Sequence, residues 1–372
     1  MTRFSKFYTI DSVVCSADVN GHAMTEPPTK ALPRVVGLDS VRFVAALTVL
    51  LMHFNVAPSV KWIWPDGSLG WAIRGTVDNA LNGHAAVIVF FIISGFCIHY
   101  PRIKRRKLDV LEFYASRYLR IVLPMIVAAI ISVMTGLGLD ALVVGILWSL
   151  YAELAYYTAY PLIVLLRNAW GWSWVLGSSA VGSGAVVLSQ PLAAQYTDHG
   201  IALTCILGLP CWLLGCILAE RVMIGHSNTS VPSARSIWAW RFGIWVLSVI
   251  SSALEFHTPI GAPITLNIFA IAAFFWLERE IRWSRARGPV PALERAGLWS
   301  YSIYLMHLPL AAVTVGLFGL AGVAINPANP LAIGGVLVGC YMFYRSVEEP
   351  SHRLAKTAAR HIGNRRYTLR PL

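Results

Sequence analysis

Apolar residues run through this chain in long stretches, not in the short alternating periods of half-buried elements. Segments of about 17 to 25 mostly apolar residues, the length at which a helix crosses a bilayer, recur ten times, centred near Ala46, Phe91, Val127, Ala159, Ala180, Gly208, Val246, Ala270, Met306 and Gly335. The pattern predicts an all-α polytopic membrane protein with about ten transmembrane helices in one bundle. A polar segment over 1–36 precedes the bundle at 37–350, and a basic tail over 351–372 follows it. The first 33 residues lack the apolar core and small-residue cleavage site of a signal peptide, so the first span serves as its own insertion signal. The longest polar break, Pro58 to Gly83, mixes Pro, Gly and Asp and suits the cover of an outer vestibule. No internal repeat is evident.

Composition agrees with this reading. Of 372 residues, 56% are hydrophobic and 13% charged, against roughly 25% charged in soluble domains. Six cysteines (Cys15, Cys97, Cys205, Cys211, Cys216 and Cys340) form no CxxC pair; helix packing explains them better than a disulfide framework or thiolate metal site. No metal is implied. With the N-terminus in the cytoplasm, only Lys61 and Arg74 of the 30 Lys and Arg fall in outer loops. The basic residues gather in 101–117, 220–236, 278–295 and the tail after Arg345, so both termini are expected to be cytoplasmic. The net charge of +12 is thus mostly topological, with attraction to anionic membrane lipid secondary. Scattered basic loops without a recognition motif exclude nucleic acid as a partner.

Ionisable groups within apolar helices mark functional positions, since a charge at mid-membrane costs about 2.5–3.5 kcal/mol on insertion scales. Arg42 and His53 lie close to three turns apart, on one face but separated by about 16 Å along the axis. Arg42 suits an anion entering from the cytoplasm, or a snorkelling pair with Asp39. His53 suits proton transfer near neutrality, or a helix-to-helix hydrogen bond. Ser94-Gly95 reads as a close-packing position. Arg117 and Arg120, at i and i+3, make a clamp for phosphate or carboxylate, or else a positive-inside flank. Glu153, a turn after Ser149, has no basic neighbour in sequence; it either finds Arg42 or His53 on another helix or lies at the surface of a helix start. Tyr304 and His307, with Ser300 a turn earlier, share a stripe. Glu348 and Pro350 read as helix termination.

In order, these segments resemble the acyltransferase-3 family of bacterial integral-membrane acyltransferases. The matches are Arg42-x10-His53, "FFIISGF" (90–96), Arg117-x-x-Arg120 with Ile121 and Pro124, "WSLYAE" (148–153), "LPCWLLGCILAE" (209–220), "YSIYLMHLPL" (301–310) and "VEEP" (347–350). The resemblance implies about ten helices and transfer of an acyl group, often acetyl from acetyl-CoA, to a hydroxyl of a carbohydrate or other acceptor such as a surface polysaccharide, lipopolysaccharide or lipo-oligosaccharide. It also implies a bacterial cytoplasmic membrane location. Functional positions carry over to His53, Arg42, Arg117 and Arg120, and then to Glu153 and His307. The chain departs from the family at Ile88, where an acid often stands, and at Ala155 and Tyr156. An appended hydrolase-like domain of the kind some members carry is not expected.

Acyl transfer to an alcohol needs a base and a donor for the developing oxyanion. The expected roles are His53 as base, oriented by Glu153, and Arg117, Arg120 and Arg42 on the acyl-CoA, with hydrogen bonds from His307, Tyr304 or Ser149. No bound cofactor is expected. Two other readings use the same residues: a transporter or flippase with buried Arg, His and Glu as its path, and a noncatalytic binding partner.

Overall fold

The computed structural model describes residues 35–56, 68–103, 108–225 and 230–368. The segment 1–34 with Cys15, the vestibule loop over 57–67 with Lys61, the basic run Lys104–Lys107, and residues 226–229 and 369–372 lie outside the described residues. Among the described residues there is no strand, and the protein is an all-α polytopic membrane protein.

Thirteen α-helices are described: α1 (Leu38–His53), α2 (Ser68–Ala80), α3 (Gly83–His99), α4 (Val110–Met134), α5 (Leu139–Leu142), α6 (Trp148–Ser189), α7 (Ile201–Ile224), α8 (Ala234–His257), α9 (Ala262–Arg287), α10 (Pro291–Ala296), α11 (Ser300–Leu320), α12 (Pro330–Phe343) and α13 (Glu349–Thr368). Their starts follow local chemistry. Asn82, Asp109, Ser233 and Asn329 each accept a backbone N–H in the first turn of α3, α4, α8 and α12, filling the donors a helix leaves open. The start of α1 is capped from a distance: Glu294 on α10 accepts from Gly37 N, Ser40 N and Ser40 Oγ at 3.1, 3.1 and 2.7 Å.

Among the described residues, seven stretches are long and apolar enough to cross a membrane. One of them, Leu139–Ser189, has 51 residues and would reach more than twice the roughly 30 Å hydrocarbon thickness if straight. It breaks at Gly171 (φ 78, ψ 169), which divides the two spans expected near Ala159 and Ala180. The helices α1, with 16 residues, and α9, whose second half is heavily charged, are not among the seven. The tail expected after residue 350 forms α13, which packs along α4 with Ala355 and Ala359 buried.

The centre of the bundle is α3, packed against α1, α7 and α9. Its crossing with α7 admits no side chain: a Cβ on Gly95 would stand 2.0 Å from the Trp212 carbonyl oxygen, and one on Gly215 would stand 1.9 Å from that of Ile92. Small residues let membrane helices approach closely, as expected for Gly95. Gly95→Val should therefore cost about 1–3 kcal/mol or more through overpacking, seen as a lowered unfolding midpoint in fluorescence-detected gel filtration. An unchanged midpoint would refute the crossing. At one end of these helices, His99 bonds Tyr160 and Glu220 at 3.0 Å each, and Arg167 reaches Glu220 at 2.6 Å. This buried polar tie leaves α3, α6 and α7 in fixed register.

Candidate active site

Among the described residues, two cavities gather most of the expected site residues. The first is at the end where α1, α4 and α11 begin and α3 finishes. It holds about 890 Å³ of empty space, mouth included. Its polar wall brings together Arg42 (α1), Arg117 and Arg120 (α4), Ser149 and Glu153 (α6) and Tyr304 (α11), residues from four helices. Arg42 keeps an ion pair with Asp39 at 3.5 Å and also lines the cavity. Arg117 and Arg120 have no ion-pair partner among the described residues, and Arg117 Nε is buried without a hydrogen bond. Three guanidiniums thus face one lining carboxylate, and an anion entering here would supply the missing acceptors.

Glu153 does not pair with His53 or with an arginine. It accepts from Ser94 Oγ at 2.5 Å and from Tyr157 OH, and Trp212 Nε1 donates to Ser94 at 3.3 Å. The expected coupling of Glu153 to His53 is therefore replaced by a neutral hydroxyl cradle, and Ser94 has a role beyond packing. Across the cavity, Ser149 and Tyr304 are bonded hydroxyl to hydroxyl at 2.6 Å, and both lie in reach of the Ile146 carbonyl, at 3.2 and 3.3 Å. That carbonyl belongs to the π-helical turn Val143–Leu147, the kind of helix distortion that recurs at functional sites.

His53 looks the other way. It lines a second cavity of about 820 Å³ with Gly145, Trp148 and His84. Its Nδ1 lies 3.0 Å from both the Val49 carbonyl and His307 Nε2. His307, fully buried, has Nδ1 at 3.0 and 2.9 Å from the Ile303 and Tyr304 carbonyls. Carbonyls only accept, so His307 carries its proton on Nδ1 and offers a bare Nε2 to the Nδ1–H of His53. This bonding leaves His53 Nε2 as the free lone pair. A Cβ at Gly145 would lie 4.0 Å from that nitrogen; the missing side chain keeps it open to the cavity. His307, expected among the catalytic groups, lines neither cavity and sits behind His53, bonded to its Nδ1. The two cavities share Val87 and Tyr304.

Three positions have surroundings that the sequence does not indicate. Glu348 is 1% exposed and accepts from Ser302 N and Oγ at 3.1 and 2.5 Å; it lies in a π-helical turn, Tyr344–Glu348, and ties the chain after α12 to α11, so helix termination is not its whole role. Glu294 fixes the start of α1 and with it Arg42. Cys97 is exposed and lines the arginine cavity, unlike the buried Cys211, Cys216 and Cys340. Ile88, at the position where the family often has an acid, is fully buried and lines neither cavity.

The family model described as an acyltransferase domain matches residues 35–345, most of the chain. The protein belongs to the acyltransferase-3 family. No curated protein and no solved structure matches it. The matched region of this acyltransferase contains all eight expected site residues, both histidines of the dyad among them, and it ends three residues before Glu348. The two cavities of this membrane acyltransferase differ in lining: Arg42, Arg117 and Arg120 line the first, His53 and His84 the second.

Proposed function

We propose that this acyltransferase moves an acetyl group from acetyl-CoA, or a related acyl from its CoA thioester, to a hydroxyl of a carbohydrate-type acceptor. The observation that carries the proposal is the pair of cavities that meet at Tyr304, one cationic and one opened by a bare imidazole nitrogen. In this reading the CoA phosphates lie against Arg117, Arg120 and Arg42, and the thioester reaches the shared wall. The acceptor occupies the second cavity. His53 Nε2 takes the hydroxyl proton as the oxygen attacks the thioester carbonyl, and Tyr304 with Ser149 donates to the oxyanion. Collapse breaks the C–S bond, and His53 returns its proton to the CoA thiolate.

The location that fits this reading is a bacterial cytoplasmic membrane, with both termini and the arginine cavity on the cytoplasmic side, where CoA is found. The acceptor is then a surface polysaccharide, lipopolysaccharide or lipo-oligosaccharide approached from the opposite side. The test is acetyl-labelled acetyl-CoA supplied to membrane vesicles with and without the protein. Label should enter glycan only with the protein and should persist with a protonophore, as it would not if buried charges served proton-driven transport. Absence of label from glycan at saturating donor would contradict the proposal.

A further inference from the structure

The second cavity holds a histidine other than the base. His84, in the first turn of α3, lines it, and its Nδ1 lies 3.0 Å from one carboxylate oxygen of Glu255 on α8 and 3.3 Å from the other. The Glu255 side chain is 1% exposed. A carboxylate accepts only, so His84 donates through Nδ1–H and has Nε2 left for a further partner. The register of the pair is fixed next door: Asn82 caps α3 through Ala85 N and donates to the Ser248 carbonyl of α8 at 2.9 Å.

The segment 195–197 also lines this cavity. There the Tyr196 hydroxyl is buried with no hydrogen-bond partner, and the side chains of Gln195 and Thr197 have none among the described residues. A buried polar group without a partner is rare; the Tyr196 hydroxyl on this lining, with half-buried Gln195 and Thr197 beside it, points to a ligand that supplies the missing bond. Its chemistry follows from the lining. Among the described residues no lysine, arginine or carboxylate lines the cavity, so a phosphate or free carboxylate finds no permanent charge to pair with. An acyl chain alone would leave the polar groups unmet. Trp148, Tyr196 and Phe256 place aromatic rings on the lining, the surface against which the C–H groups of a sugar ring pack. A neutral ring with several hydroxyls satisfies both sets.

We propose that the His84–Glu255 pair and Tyr196 bind the non-reacting hydroxyls of the acceptor sugar and so select which hydroxyl meets His53. The proposal rests on the reading that the acceptor occupies this cavity. His84 is thereby a positioning and specificity residue for the acceptor, with no part in the proton transfer.

The experiment uses the full chain in proteoliposomes with labelled acetyl-CoA and, as acceptors, methyl glycosides of glucose, galactose, mannose and N-acetylglucosamine with their monodeoxy analogues. Wild type should acylate at least one glycoside and discriminate against one of its deoxy forms. His84→Leu should raise KM for that glycoside about tenfold, the range for a lost hydrogen bond to a charged pair, with kcat within threefold and the deoxy discrimination largely erased. Tyr196→Phe removes a hydroxyl that bonds nothing in the protein, so it should leave the unfolding midpoint unchanged and still raise KM. It carries the same prediction if His84→Leu does not fold. A wild type that acylates no glycoside, or variants with wild-type KM and deoxy discrimination, would overturn the proposal. Failure of the underlying reading has another signature, full transfer in His53→Ala, whereas failure of this proposal alone leaves His53→Ala inactive.

Discussion

Replacing Arg117 and Arg120 together by glutamine should raise KM for acetyl-CoA by a hundredfold or more, with a far smaller change in kcat at saturating donor. The two guanidiniums line the first cavity without an ion-pair partner among the described residues, so they are not consumed in holding the fold. A hydrogen bond to a charged group contributes about 1.5–3 kcal/mol, and each 1.4 kcal/mol is about tenfold in affinity. Losing one such bond from each arginine gives the hundredfold floor. The split between KM and kcat separates this role from a catalytic one, because binding that is equal in ground and transition states changes KM alone. Isothermal titration of the purified protein with CoA gives the same comparison without turnover. A double variant with wild-type donor affinity would show that the arginines are a positive-inside flank after all.

His53→Gln should have the opposite signature. General base catalysis contributes about 10²–10⁴-fold, and in the proposed mechanism the free Nε2 of His53 is the base. The substituted amide still presents a polar group but cannot accept and return a proton, so kcat should fall at least a hundredfold while donor affinity stays near wild type. The His307 variants grade the argument. His307→Asn retains an acceptor for the Nδ1–H of His53 and should lose less than His307→Leu, which leaves the His53 tautomer undetermined. Equal losses in both would mean that the imidazole of His307 contributes by itself.

Much of the architecture was legible from hydropathy, because helices that satisfy their own backbone are one of the two ways a chain crosses lipid. The helical repeat also carried through to the site. The eleven-residue spacing placed Arg42 and His53 on one side of α1 and far apart along it, and the structure gives them to different cavities. What spacing could not supply is contact between helices remote in sequence. His53 and His307 are 254 positions apart, and nothing local distinguishes His307 from Glu153 as the partner of His53. Glu153 was misjudged for a related reason: its partner Ser94, 59 residues away, sits beside a glycine that packing already explained. Glu348 looked like a helix end because Pro350 follows it. The structure instead has a π-helical turn, which turns the carboxylate inward onto Ser302. Hydropathy separates spans near Ala159 and Ala180, but the place where α6 bends is set by the backbone at Gly171 (φ 78, ψ 169), which an apolar window does not reveal.

The most direct test of the account is the single-turnover rate of acetyl transfer from bound labelled acetyl-CoA in His53→Gln, measured beside its donor dissociation constant in the same proteoliposomes. The rate should be at least a hundredfold below wild type, with a dissociation constant within twofold. A wild-type transfer rate in correctly inserted protein would contradict it.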